Sequence, residues 1–80
     1  MADVQHIDSP SKIPADGNYV LVVVGTKDEI VRKDHNFTVT VNGSMPPNQF
    51  EAHLDTAIGD AKALADRERI DTVFVCKGRG

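Results

Sequence analysis

Few side chains in this chain could do chemistry, and the three histidines are the first to consider. His6 lies near the start, His35 in a polar stretch, and His53 inside the strongest helical pattern. No two of them have the spacing of metal ligands on one helix, such as i and i+4. His53 shares a helix edge with Thr56 and Asp60. We interpret that edge as a polar rim and the histidines as surface residues, and we expect no metal ion and no cofactor.

The single cysteine, Cys76, is the next candidate. One thiol cannot form an intramolecular disulfide and supplies no metal site by itself. To act as a nucleophile it would need a nearby histidine and a stabilised thiolate. Strand alternation sets Val73 and Val75 on one face and Phe74 with Cys76 on the other, which predicts a buried structural thiol. A position near a sheet edge would instead expose the thiol to oxidation.

Charged side chains recur along the outward face of the same predicted helix. They are Glu51, Asp55, Lys62 and Asp66. Carboxylates that work as a general acid and base need a cleft that separates their pKa values, and a solvated helix face supplies none. We therefore predict no enzymatic activity and treat these four residues as a candidate protein-binding surface.

Basic residues form an alternative candidate site, for nucleic acid. They are Arg32, Lys33, Lys77 and Arg79. The formal net charge is -3, with acids and bases interspersed, whereas binding to a phosphate backbone needs a clustered cationic face. Sheets that read nucleic acid usually stack bases on exposed aromatic rings. Because Phe37 and Phe74 are better suited to the core, nucleic-acid binding is the weaker interpretation.

One central helix must position most of these residues. From Asn48 onward, apolar residues recur at i, i+4, i+7, i+8 and i+11, as in a helix lying on an apolar surface. The stripe consists of Phe50, Leu54, Ala57, Ile58, Ala61, Leu64 and Ala65. Asn48 and Glu51 have the spacing of a capping box, and a proline pair just upstream stops backward extension. The pattern predicts a helix that ends near Asp66 or Arg67.

Three segments have the patterns of strands. The run 18–24 is β-branched and apolar on both faces, which predicts a central strand. The alternation in 37–42 is typical of a half-buried antiparallel strand. Segment 71–77 follows the helix, so it could pair in parallel through a right-handed crossover. Segment 30–33 is either part of a hairpin or part of a longer loop.

This order of elements predicts an α+β domain. We expect a small sheet of three or four strands, mostly antiparallel, with one long helix packed on one face, in the order β-β-α-β. Residues 1–17 precede the single domain of residues 18–80 as a flexible leader or, at Val4–Ile7, as an edge strand. One helix covers only one face, so the doubly apolar run 18–24 indicates a possible homodimer.

Composition limits the class of protein. Eighty residues with 40% hydrophobic and 26% charged side chains suit one small globular domain. No apolar run approaches the roughly 18 residues of a membrane span. The first residues lack the basic start and the apolar core of a secretory signal, and a lone cysteine suits a reducing compartment. We expect a cytoplasmic protein that does not bind membranes.

The arrangement of residues 18–80, with strands, a helix with an alanine-rich inner face, a further strand and a basic glycine-containing tail, is similar to that of many small bacterial and phage domains. The likeness is one of pattern and includes no diagnostic motif. Some such domains inhibit host defence complexes, so the resemblance implies a bacterial or phage accessory protein or inhibitor. We expect a non-catalytic protein-interaction module that binds a protein complex. The alternative is a nucleic-acid-binding domain that uses the basic loops and the C-terminal tail.

Overall fold

The fold is a five-stranded mixed sheet with one long helix on one face. The computed structural model describes residues 2–7, 11, 13, 17–33 and 36–76. The elements are β1 (Asp3–Ile7), β2 (Val20–Gly25), β3 (Glu29–Lys33), β4 (Asn36–Asn42), α1 (Pro47–Arg67) and β5 (Thr72–Cys76). In space the strands follow the order β1-β5-β2-β4-β3. The α+β class with a single covering helix is therefore confirmed.

Strand direction is the part of the fold prediction that was wrong. The pairs β1–β5, β5–β2 and β2–β4 are parallel, and only β3–β4 is antiparallel. Alternation of apolar and polar side chains determines which face of the sheet a residue occupies, but it does not determine the direction of the neighbouring strand. The long connection through α1 carries the chain from β4 past β2 to β5, as parallel pairing requires.

Two segments, 4–7 and 30–33, could not be assigned from the sequence, and both are edge strands. β1 pairs with β5, with Val4 opposite Val73. β3 forms an antiparallel pair with β4, with Val31 opposite Thr38. The sheet therefore has five strands rather than three or four, and β3 is the edge on which the candidate site depends.

The main core lies between α1 and the sheet. Side chains of β4 alternate between half-buried and buried along its whole length, as predicted. In register, Val22 lies beside Val39 on one side and Val75 on the other. The helix contributes Leu54, Ala61, Leu64 and Ala65 to this core. Three further members of the predicted stripe, Phe50, Ala57 and Ile58, pack at its margin.

The opposite face of the sheet is partly covered. Phe74 and Cys76 are only 6% and 3% exposed, although they are not part of the core beneath α1. The rings of Tyr19 and Phe74 meet edge-on with their centroids 5.7 Å apart. Leu21 and Val23 are half-buried rather than bare. Cys76 is thus a buried thiol, as predicted, and the second face of β2 is a less open surface than the sequence indicated.

The two ends of α1 differ in how well they were predicted. The helix begins at Pro47 with Pro46 as N-cap, and no side chain caps it, so the predicted Asn48–Glu51 capping box is wrong. Proline has a backbone angle suited to the first turn and no N–H to satisfy, so the helix starts before Asn48. The predicted end near Asp66 or Arg67 is confirmed, because α1 ends at Arg67. Within the described residues, no helix combines the length and apolar character that a membrane crossing requires.

Candidate functional site

An open groove runs between α1 and the edge strand β3. The helix packs mainly against β2, β4 and β5, so β3 extends beyond its cover. Two adjoining cavities of about 200 Å³ and 400 Å³ occupy this space, and both are lined by Ile30 and Asp60. We call their union the α1–β3 groove. It is bounded by Ile30 and Phe37 from the sheet and by Ala57, Asp60, Ala63 and Arg67 from the helix.

The floor of the groove is apolar. Phe37, Val39 and Val41 are buried in β4 and line it from below. Ile30 stands on β3 beside this floor, and 61% of its surface is exposed. Ile30 and Val31 are the large hydrophobic residues that the described part of the chain leaves exposed. An aliphatic side chain beside an apolar floor is a place where a partner can bury surface.

The helix wall is the polar edge that the sequence predicted. His53, Thr56 and Asp60 line the groove, because the edge they share faces β3. Sequence periodicity placed these residues on one side of the helix. Periodicity could not indicate that β3 would be left uncovered. The position of α1 across the width of the sheet depends on packing against β2, β4 and β5.

A hydrogen bond between side chains joins the helix to the turn before β3. His53 Nε2 lies 2.7 Å from Asp28 Oδ1, and the backbone N–H of Asn42 donates to the same oxygen at 2.9 Å. The hydrogen bond from His53, followed by that from Asn42, lowers the pKa of Asp28 below its usual value of 3.8. Because the ionised carboxylate only accepts, His53 donates from Nε2. The pair ties the turn to α1 at one end of the groove.

Charge is distributed unevenly along the groove. Asp28 and Glu29 line one end, Asp60 lies in the middle where the two cavities meet, and Arg67 lines the other end. The guanidinium carbon of Arg32 lies 5.8 Å from the centre of the Phe37 ring, within the range of a cation–π contact. The groove can therefore accept an apolar side chain on its floor and a cation beside its acidic end.

The predicted protein-binding residues lie on a different flank of the helix. Glu51, Asp55, Lys62 and Asp66 are all exposed, and helical rotation turns them away from the groove. Asp66 has a structural contact, because its Oδ1 accepts the backbone N–H of Ala2 at 3.1 Å. Asp66 thus helps to hold the start of β1, while the other three form an outward charged face.

Two of the four alternative nucleic-acid residues lie in the described part of the chain. Arg32 and Lys33 are exposed at the end of β3, with Arg32 lying over Phe37. Lys77 and Arg79 lie outside the described residues. The described residues therefore test only the pair Arg32 and Lys33, whose consecutive positions on a strand set them on opposite faces of the sheet.

Ile30 and Asp28 are the site residues that sequence reasoning missed. The available signal was the five-residue strand Glu-Ile-Val-Arg-Lys, in which two apolar residues lie between charges. Such a pattern is typical of an edge strand protected by charge. Among the described residues, no three histidine, cysteine or acidic side chains come close enough together to hold a metal ion.

Comparisons with protein-family models, with curated proteins and with solved structures find no match for this chain. The geometry and the chemistry of the groove are therefore the basis for a functional conclusion.

Proposed function

We propose that this protein is a small non-catalytic protein-interaction module that binds its partner in the α1–β3 groove. The observation that carries the proposal is the exposed Ile30 beside a floor of buried apolar side chains. Covering these surfaces removes apolar area from water, which is the main favourable term in protein association. Grooves beside an amphipathic helix and exposed sheet edges are common places for peptide segments to dock.

The lining of the groove favours a particular chemistry in the partner. Its acidic end carries Asp28 and Glu29, with Asp60 in the adjoining middle of the groove, and the hydrogen bond from His53 keeps Asp28 ionised to lower pH. A partner segment with an aliphatic or aromatic side chain next to a lysine or arginine would satisfy both the floor and this end. Charge complementarity of this kind adds specificity and speeds association.

The wider role that we propose is that of a bacterial or phage accessory protein or inhibitor that works in the cytoplasm by binding a protein complex. Glu51, Asp55 and Lys62, on the outward face of α1, are proposed as peripheral contacts. Because they face away from the groove, they would meet a different part of a partner complex, where exposed charges alter the association rate more than the affinity.

Nucleic-acid binding through Arg32, Lys33, Lys77 and Arg79 remains the alternative. Base stacking would need exposed aromatic rings, but Phe37 and Phe74 are 9% and 6% exposed. We therefore favour the protein partner. Titration with a mixed single-stranded oligonucleotide pool at low and high salt tests the alternative, since phosphate binding weakens steeply as salt rises.

The experiment that tests the groove uses two matched arginine substitutions on the same helix. Ala63 lines the groove, whereas Ala52 does not, and both are exposed. The wild type, Ala63→Arg and Ala52→Arg are immobilised, and the proteins retained from bacterial lysates, with and without phage infection, are quantified by mass spectrometry. Circular dichroism and urea unfolding check that both variants keep the fold.

We expect the wild type and Ala52→Arg to retain the same set of proteins. The amount of these proteins retained by Ala63→Arg should be lower by about tenfold or more, because a buried cation blocks an apolar contact. Equal retention on all three chains would contradict binding in the groove. Retention of nothing but salt-sensitive nucleic acid would favour the alternative function.

A further inference from the structure

The edge strand β3 also has a pattern that fits a second copy of itself. Its sequence from Glu29 to Lys33 has opposite charges at its ends and Val31 at its centre. If two β3 strands pair antiparallel about Val31, each Glu29 lies opposite Lys33 of the other copy. Opposite charges directly across an antiparallel pair are favourable, and like charges are unfavourable.

We propose that two copies of this chain associate through antiparallel pairing of their β3 strands, with the two-fold axis at Val31. This inference does not depend on the proposed partner of the groove. The self-complementary register keeps odd-numbered residues opposite odd-numbered ones and even opposite even. The backbone groups of β3 that point away from β4 therefore meet their counterparts in the other copy, as a continuous ladder requires.

The exposed apolar residues also favour β3 over the other candidate interfaces. Ile30 and Val31 are 61% and 45% exposed, and each would gain cover from a second β3. The opposite edge, β1, has its apolar residues Val4 and Ile7 already half-buried in the domain. The second face of β2, which the sequence indicated as the dimer surface, has its apolar side chains half-buried as well.

The charges of β3 also discriminate between arrangements. A parallel pairing in register would put Glu29 opposite Glu29 and Lys33 opposite Lys33, so that both ends repel. Charged edge strands usually prevent association, but in the two-fold antiparallel register the same charges become complementary. They therefore select one geometry and disfavour the rest.

The dimer would have a consequence for the groove. A two-fold axis perpendicular to a continuous ten-stranded sheet puts both helices on the same face. The two α1–β3 grooves would then adjoin across the paired β3 strands, with Ile30 of each copy opposite Arg32 of the other. Two short strands bury a small area, so we expect a weak and concentration-dependent dimer.

The test is the solution mass, measured by light scattering from about 10 µM to about 1 mM, the range in which an interface this small is expected to dissociate.

Lys33→Glu and Glu29→Lys each replace two attractive pairs with two repulsive ones. Each should weaken association about tenfold or more. The double variant Glu29→Lys/Lys33→Glu restores opposite charges and should restore the dimer. Lys62→Glu makes the same charge change on the outward helix face and should leave the mass unchanged.

Loss of the dimer in each single variant with recovery in the double variant supports pairing through β3. A monomer at every concentration would overturn the proposal. A dimer that the β3 variants do not alter would overturn it too, because the interface would then lie elsewhere. Retention of partner proteins by monomeric Lys33→Glu is a separate measurement, because Lys33 does not line the groove, so the groove and the dimer can fail independently.

Discussion

Gly43 lies where the chain leaves β4 and passes close to β2. Its N–H donates to the carbonyl of Gly25 at 3.0 Å. A Cβ at this position would lie 2.5 Å from Val24 Cγ1, which is well inside van der Waals contact. Only glycine therefore fits without movement of the Val24 side chain.

Replacing Gly43 with alanine is expected to lower the free energy of unfolding by roughly 1–3 kcal/mol, the usual range for forced overpacking. Gly59 provides the matched control, because a Cβ there meets nothing within 4 Å. Gly59→Ala should raise the free energy of unfolding by about 0.5–1 kcal/mol, since glycine is unfavourable inside a helix. Urea unfolding measures both. Equal stability of Gly43→Ala and wild type would mean that the Val24 side chain moves aside without cost.

The Asp28 carboxyl makes a pH-dependent contribution to the stability of the folded state. Its folded pKa is lowered by the hydrogen bonds from His53 and Asn42, so the folded state favours the carboxylate. The resulting stabilisation is fully present above the unfolded pKa of about 3.8. It is lost as pH falls through the lower folded pKa.

We therefore expect Asp28→Asn to be less stable than the wild type at neutral pH, with a difference that shrinks as the pH falls below about 4. Urea unfolding across a pH series measures this difference. Asp55→Asn removes a carboxyl from the outward helix face and controls for net charge. If the difference in stability between Asp28→Asn and the wild type stays constant into strong acid, the ionised Asp28 carboxylate is not the source of the stabilisation.

At the scale of elements, the end of α1 carries an unusual residue. Arg69 has a positive φ of 59°. Ile70 donates its N–H to the Ala65 carbonyl at 2.7 Å, and Arg69 donates to Asp66 at 3.3 Å. This is the Schellman arrangement that ends many helices, and the left-handed position in it is usually glycine.

Arg69→Gly is expected to stabilise the protein by about 1 kcal/mol, because glycine adopts the left-handed conformation without steric cost. Arg69→Ala keeps the Cβ while it removes the guanidinium, so it separates backbone conformation from charge. Thermal and urea unfolding of the three proteins provide the measurement. If the glycine variant is no more stable than the alanine variant, the left-handed conformation is not a source of strain.

At the scale of the whole molecule, β5 connects the two sides of the sheet. It lies between β1 and β2 and is parallel to both. Its side chains close the main core on one face through Val73 and Val75 and the second face through Phe74 and Cys76. Exposure of the Cys76 thiol should therefore require a large opening of the structure.

We expect the Cys76 thiol to react with a thiol reagent roughly a hundredfold or more slowly in native buffer than in denaturant, since access depends on a rare opening. The control is Ser44→Cys in a Cys76→Ala background, because Ser44 is exposed and should label at once. The labelling rate against urea concentration is the measurement. Fast labelling of Cys76 in native buffer would mean that the end of β5 opens by itself.

The sequence was sufficient for properties that depend on local periodicity. The apolar stripe of α1, its end near Arg67, the alternation of β4 and the inward direction of Val73 and Val75 all follow from repeats of 3.6 or 2 residues. These features require no knowledge of which strand lies beside which.

Tertiary structure decided the properties that depend on neighbours far apart in the chain. Parallel pairing of β2 with β4 and the addition of β1 beside β5 are outcomes of packing that alternation alone does not specify. The groove is the clearest case. Ile30 is exposed because α1 crosses the middle of the sheet and leaves β3 uncovered, and Asp28 meets His53 because the turn before β3 lies beside that helix. The residues were visible in the sequence, but their meeting depends on contacts between segments about 25 residues apart.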